Sequence, residues 1–234
     1  QITHATAKPL NMGGTVAAIP ERRLSQETCK HFGVTIEYSA TGEVNKHYYP
    51  YYKLNTNEVS SAKVREVRTK NFHTTGDVTG VGFFGQTRCN TDKYITVTEG
   101  ELDAMAIYEM SGRKWDVVSL RTGAAGAVKE MKEQLEWLES YGTVVLCFDN
   151  DKAGEEAVDQ VKDLFSPNKL KICKLPVKDA SDMLVANRVK DFTQCWWNSK
   201  TYRPDGIVAG TDTWENLVEK RNVKSIPYPW EGLN

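Results

Sequence analysis

The sequence predicts an α/β fold with an α+β N-terminal lobe: a parallel sheet flanked by helices, preceded by a small, mixed and mostly antiparallel lobe. Three observations carry it. Between residues 94 and 186, short β-branched runs alternate with amphipathic stretches of helical length, the pattern of βαβ units. The connections between them are short, as α/β units prefer. Ahead of residue 93, strand-like runs alternate polar and apolar residues and are broken by turn residues such as Thr41-Gly42, the pattern of antiparallel pairs.

Element by element, residues 1–18 carry Pro9, Gly13 and Gly14 and predict irregular chain. Residues 20–32 predict a helix with Leu24 and Phe32 on one face, closed by Gly33. Residues 34–38, 47–52 and 63–67 predict strands. The second half predicts strands at 94–98, 117–120, 144–148 and 170–175. Helices at 102–110, 127–138, 154–164 and 180–186 alternate with them. We divide the chain into a basic N-terminal subdomain (1–92), a catalytic subdomain (93–186), a helical segment (187–224) and a linker (225–234). The linker has two prolines and no periodicity.

With 40% apolar and 26% charged residues among 234, a packed core is expected and global disorder is not. The net charge of −1 excludes a wholly basic nucleic-acid binder but leaves room for a local basic face. Charge is in fact uneven: residues 1–92 carry a net +3 and residues 93–185 a net −5. That polarity suits a protein holding a polyanion on one side and divalent metals on the other. The longest clean apolar run, 144–148, is far shorter than a membrane span, and the first residues carry no secretory signal. Five widely spaced cysteines, with no CxxC, support neither a zinc ribbon nor a disulfide framework; a reducing, cytoplasmic setting is expected. Cys29 and His31 do not make a four-ligand site.

Acidic residues fall at the carboxyl ends of two predicted strands: Glu99-Gly100-Glu101-Leu102-Asp103 after the first and Asp149-Asn150-Asp151 after the third. Ligands of open parallel sheets bind outside those ends. Glu101 and Asp103 by themselves read as complements to a helix N-terminus. Two carboxylates bracketing one residue at a strand end are costly unless a cation neutralises them. Oxygen donors without Cys or His select magnesium or manganese. Lys63, Arg65, Arg68 and Lys70 cluster cations in eight residues, which fits phosphate binding or a solvated strand face. The aromatics His47, Tyr48, Tyr49, Tyr51 and Tyr52 fit either base stacking or packing within a strand. Arg121-Thr122-Gly123-Ala124-Ala125-Gly126 precedes a helix and is either an anion-binding loop or a tight turn. Gly80-Val81-Gly82-Phe83-Phe84-Gly85 spells GxGxxG, but no strand leads into it and no amphipathic helix comes after it, so it is not a dinucleotide fingerprint.

Taken together, Thr98-Glu99-Gly100-Glu101-Leu102-Asp103-Ala104 and Phe148-Asp149-Asn150-Asp151-Lys152-Ala153-Gly154 resemble the two signature motifs of the Toprim domain. Over residues 16–234 the chain resembles the primase part of the bifunctional primase–helicases of short-tailed, T-odd bacteriophages. Lys70-Asn71-Phe72-His73-Thr74-Thr75-Gly76 and Leu175-Pro176-Val177-Lys178-Asp179-Ala180 belong to this resemblance, as does the stretch from Arg203-Pro204. It implies synthesis of RNA primers from ribonucleoside triphosphates on single-stranded DNA, by two-metal nucleotidyl transfer. Glu99 would be the general base or orient the attacking hydroxyl. Asp149 and Asp151 would hold two magnesium or manganese ions, with Glu99 and Asp179 contributing. Lys63, Lys70, Arg65 and Arg121 would contact nucleotide and DNA phosphates. Implied partners are a helicase domain of the same full-length chain and the replisome DNA polymerase, in the cytoplasm of a bacterial host. The family's zinc module and the GxxxxGK[ST] loop of its motor are absent, so the chain is expected to be the central portion of a longer protein. Two other readings stand beside this one: a non-catalytic, single-stranded-DNA-binding lobe of a helicase, and a Toprim nuclease.

Overall fold

The structure, a computed structural model, describes residues 9–56, 58–90 and 93–204. The N-terminal lobe begins with irregular chain pinned to the first sheet by a bridge between Thr15 and Ile36. Next comes a single 3-10 turn at Pro20–Arg22, after which Arg23 turns left-handed (φ 54°). The helix predicted over 20–32 therefore starts only at α1 (Gln26–Phe32), where Ser25 caps the Thr28 N–H. Proline suits the start of a turn, whereas the serine hydroxyl satisfies a helix donor that would otherwise be orphaned. The Ser25 N–H and hydroxyl and the Thr28 hydroxyl also donate to Glu109, tying this start to the second half of the chain.

Strands β1 (Thr35–Tyr38), β2 (Val44–Tyr52), β3 (Val59–Glu66) and β4 (Phe72–Gly76) form an antiparallel sheet in that order. β4 lies outside the predicted strands because its Phe-His-Thr-Thr run is an exposed edge with no apolar alternation. It also corrects one ground for rejecting the GxGxxG stretch: a strand does lie just ahead of it. Beyond Gly85 the chain forms only a 3-10 turn (Gln86–Arg88), so no helix N-terminus is offered to a pyrophosphate.

The second sheet is built from β5 (Tyr94–Thr98), β6 (Asp116–Ser119), β7 (Thr143–Leu146), β8 (Leu170–Ile172) and the short β9 (Lys200–Thr201). Its order is β6-β5-β7-β8-β9, parallel except for β9, which runs against β8. The intervening helices are α2 (Glu101–Met110), α3 (Ala127–Glu133), α4 (Leu135–Ser140), α5 (Lys152–Val161), α6 (Ala180–Val185) and α7 (Val189–Trp197). The helix predicted over 127–138 is broken at Gln134 (φ −112°), whose side chain accepts a hydrogen bond from Gln86. β8 stops three residues short of the predicted strand end.

Strand alternation sorts the core. Ile95, Val97, Val144, Leu146 and Phe148 pack against α3, α4 and α5 on one face. Val145 and Cys147 face α2, α6 and α7, and there Trp196 donates to Thr96. This second cluster continues without a break into Val34, Ile36, Tyr49 and Tyr51 of the antiparallel lobe. All five cysteines are free thiols, and Cys147 and Cys173 are core residues. Among the described residues no helix is long and apolar enough to cross a membrane. Of the predicted helical segment, 205–224 lies outside the described residues, as does the whole of the predicted linker.

Candidate active site

The chain leaves β5 for β6 on one side and then crosses to β7 on the other, so β5 and β7 are neighbours at a topological switch point. Such a point opens a crevice at the strand carboxyl ends. Glu99 sits just after β5 and Asp149 just after β7. The two are joined directly: the Asp149 N–H donates to Glu99 Oε1 at 3.1 Å. Burial pushes the Glu99 carboxyl up to about 7, helped by the charge of Asp149 and opposed by the N–H groups of Asp149 and Ala124. The Asp149 carboxyl is also raised, first by burial and then by Asp179, and Lys178, 3.7 Å away, partly offsets this.

Gly154, early in α5, permits this approach. A Cβ there would lie 2.2 Å from the Asp149 carbonyl oxygen and 2.6 Å from Glu99 Oε1. The other two predicted acids hold helix starts. Asp151 Oδ1 accepts from the Gly154 N–H at 3.1 Å and caps α5; Asp179 Oδ1 accepts from the Asp182 N–H at 2.7 Å and caps α6. Asn150 fastens the two loops together, its N–H donating to the Lys178 carbonyl and its side-chain amide to that of Leu175.

Two acids read from sequence as helix-terminus complements do more. Asp103 is half-buried and accepts from the Ser181 N–H of a different helix at 2.9 Å. Burial and the charge of Asp179 hold it well above the usual carboxylate range. Glu101 accepts from the Tyr51 hydroxyl at 2.6 Å and pairs with Lys63 at 2.9 Å. Their positions in the first turn of α2 masked both roles, and no spacing signal separates a first-turn acid that faces water from one that faces another element.

The basic residues divide between cavities. Lys63, held by Glu101 and the Arg121 carbonyl, lines a cavity of about 230 Å³ with Arg121, Tyr51 and Thr122. Arg121 is itself engaged by Glu133 at 2.6 Å and by Glu130 at 3.5 Å. The Arg121–Gly126 loop directs its Ala124 N–H at Glu99. Lys70, exposed and left-handed (φ 59°), instead lines a cleft of about 600 Å³ with Arg22, His47, Arg65 and Arg68. Arg65 joins that cleft to a smaller cavity bounded by Gly100, Asp103 and Asp179. Lys63 and Lys70, neighbours in sequence, thus serve different recesses. The aromatics of β2 are packing residues: Tyr48, Tyr49 and Tyr51 are buried, and Tyr52 lies under Arg88.

Among the described residues no three His, Cys, Asp or Glu side chains converge closely enough to hold a metal by themselves. The donors at the crevice are all oxygens; the charge of Asp149 disfavours the ionised form of Glu99, and that of Asp179 disfavours the ionised forms of Asp103 and Asp149. Magnesium needs no complete protein cage; it is commonly bound by one or two carboxylates, waters and substrate phosphates. The residues present fit such an ion.

A parallel sheet with an acid after each of two adjacent strands defines the class: a Toprim-like family matches residues 96–184. The relatives narrow it. The DNA helicase/primase of Enterobacteria phage T3 is 30% identical over 208 residues, covering 88% of this chain and 36% of that protein. The crystal structure of the primase fragment of the bacteriophage T7 primase-helicase is 31% identical, with a TM-score of 0.74 over 82% of this chain and 80% of that one. The T7 primase domains seen with the lagging-strand DNA polymerase, an RNA/DNA hybrid and dTTP match at 31% identity and a TM-score of 0.75, over 84% of this chain and all of that one. The chain belongs to the DNA primases of the phage primase–helicase family. It spans about a third of the length of the curated T3 relative.

Proposed function

We propose that this chain synthesises RNA primers on a single-stranded DNA template, joining ribonucleotides at the crevice between β5 and β7. The observation that carries the reading is the clasp of Glu99 on the Asp149 backbone at the switch point. Glu99, Asp149 and Asp179, with the free oxygen of Asp151, would hold magnesium or manganese. When bound, the metal stabilises charge on the attacking and leaving oxygens of an in-line displacement.

The chain's own groups do the rest. Glu99, fixed by the Asp149 N–H, is placed to accept the proton of the attacking 3′ hydroxyl or to orient it. Lys63 and Arg121 present cations to triphosphate oxygens from one recess, and Arg65 and Lys70 present them to the template backbone from the other. Flanking partners would be a helicase domain of the same polypeptide and a DNA polymerase, in the cytoplasm of an infected bacterium. The test is extension on single-stranded DNA with labelled ribonucleotides. Magnesium-dependent oligoribonucleotides that vanish in Asp149→Asn are expected. A folded chain that binds DNA but makes no product under these conditions would leave a binding lobe in place of an enzyme.

A further inference from the structure

We propose that Phe72 is the stacking platform for a nucleobase at the mouth of the acidic crevice. The inference rests on the primase reading and assigns a contact within that site.

The placement comes from strand register. Phe72 lies opposite Arg65 across β3 and β4, Thr74 lies opposite Lys63, and Arg65 lies opposite His47 across β2 and β3. Directly paired residues of an antiparallel sheet share a face, and so do residues two apart on one strand. Phe72, Arg65 and Lys63 therefore lie on one face, with Tyr49 and Tyr51. That face packs on the second half of the chain, because Tyr49 and Tyr51 belong to the shared core. Phe72 sits at its open edge, 52% exposed.

Its surroundings match a nucleotide. The Lys63 ammonium is 5.1 Å and the Arg65 guanidinium 5.7 Å from the ring centre. The ring lines a cavity of about 220 Å³ with Gly100, Asp103 and Asp179. Arg65 Nε is buried without a hydrogen-bond partner there. The half-exposed ring thus lies against cations suited to phosphate and lines a cavity that also holds carboxylates. Every base offers a π-face, so a ring of this kind holds a base without reading it. The tyrosines of β2 do not serve, since Tyr49 and Tyr51 are sealed in the core.

The base comes either from the incoming ribonucleotide or from the template, and the test separates them. Phe72→Leu and Phe72→Trp are compared with the parent chain in equilibrium titrations of a ribonucleoside triphosphate and of a single-stranded oligodeoxynucleotide. Tripolyphosphate and an abasic oligonucleotide are the base-free controls. We expect Phe72→Leu to weaken one of the two base-bearing ligands by roughly 5- to 150-fold, the range of one base–aromatic stack. Phe72→Trp restores the affinity, the base-free controls do not respond, and KM rises with little change in kcat. The arm that responds names the source of the base. Unchanged affinity in both arms, or an equal loss for the base-free ligands, overturns the inference. Primer synthesis by the parent chain is scored separately: its absence would refute the primase reading without touching a base-dependent affinity.

Discussion

Gly154→Ala sets two physical expectations against each other. Gly154 is the third residue of α5, and by helix propensity alone alanine should add about 1 kcal/mol. The geometry opposes this. The new methyl would lie 2.2 Å from the Asp149 carbonyl oxygen, 3.1 Å from its carbon and 2.6 Å from Glu99 Oε1. Two of these three atoms are backbone of the loop after β7, which the Asp149 and Asn150 N–H groups fasten to Glu99 and to the Lys178 carbonyl. Forcing a methylene into a packed site costs about 1–3 kcal/mol. Clearing the overlap needs a shift of about 1 Å, the scale at which misplacing a reacting group costs on the order of 100-fold in rate. The two terms net to a loss of up to about 2 kcal/mol, so the expected outcome is a melting temperature lower by up to roughly 8 °C, on about 2–4 °C per kcal/mol for a chain of this size. Primer synthesis should fall on the order of 100-fold. Differential scanning calorimetry and primer extension check the two halves independently. A higher melting temperature with full activity would show that α5 slides freely away from β7, and that the clasp is not fixed.

Glu99→Gln should lose at least about 100-fold in nucleotide transfer. By removing a charge repelled by Asp149 it should raise the melting temperature in metal-free buffer, and unaltered activity would remove Glu99 from the chemistry. Lys63→Ala should lower stability by about 1–3 kcal/mol, because it strands the buried Glu101, as well as weaken nucleotide binding. The exposed Lys70→Ala should leave the melting temperature alone and weaken DNA binding in a salt-dependent way; equal effects of the two variants in both assays would refute the two-recess division. His47 is buried beside Arg65, and its imidazole is held down to about 4 from 6.5, so the unfolded chain binds the extra proton in that window. His47 should therefore contribute a loss of about 3 kcal/mol as pH drops from 6.5 to 4, opposed by the raised carboxyls of Glu99, Asp103 and Asp149, and in denaturant titrations His47→Gln should gain on the parent by that amount across the window. Parallel losses in both proteins would contradict the assignment.

The sequence showed the parallel sheet plainly because its strands are buried on both faces and its helices are not. Tyr94–Thr98 and the helix after it carry two different periods side by side. Glu99 and Asp149 were legible because acids at strand ends have little reason to be there without a ligand. Other features depended on distant partners. Nothing local distinguishes Asp103 from an ordinary first-turn acid, since its partner is the backbone of Ser181. Lys63 and Lys70 looked like one cluster along the chain, yet the turn after β3, with Lys70 left-handed, sends them to separate recesses. β4 leaves no mark in the sequence because an exposed edge strand needs no apolar alternation, and Ser25, rather than Pro20, sets the start of α1 because capping outweighs periodicity at a helix end.

The apolar cluster running from Val34 and Tyr49 through Met105 and Ile107 to Phe192 has a bearing on how the molecule works as a device. The two halves are cast in one piece. Opening them like a pair of jaws would uncover the rings of Phe32, Tyr51 and Phe84, each costing about 2 kcal/mol to wet. On the proposed function, progress along a template is then a motion of the nucleic acid through a fixed gauge, with the strand slipping while the walls stay still. By the same token, a fragment cut near residue 93 would carry half of a hydrophobic seam, so the boundary visible in charge and strand pattern is a poor place to divide the polypeptide.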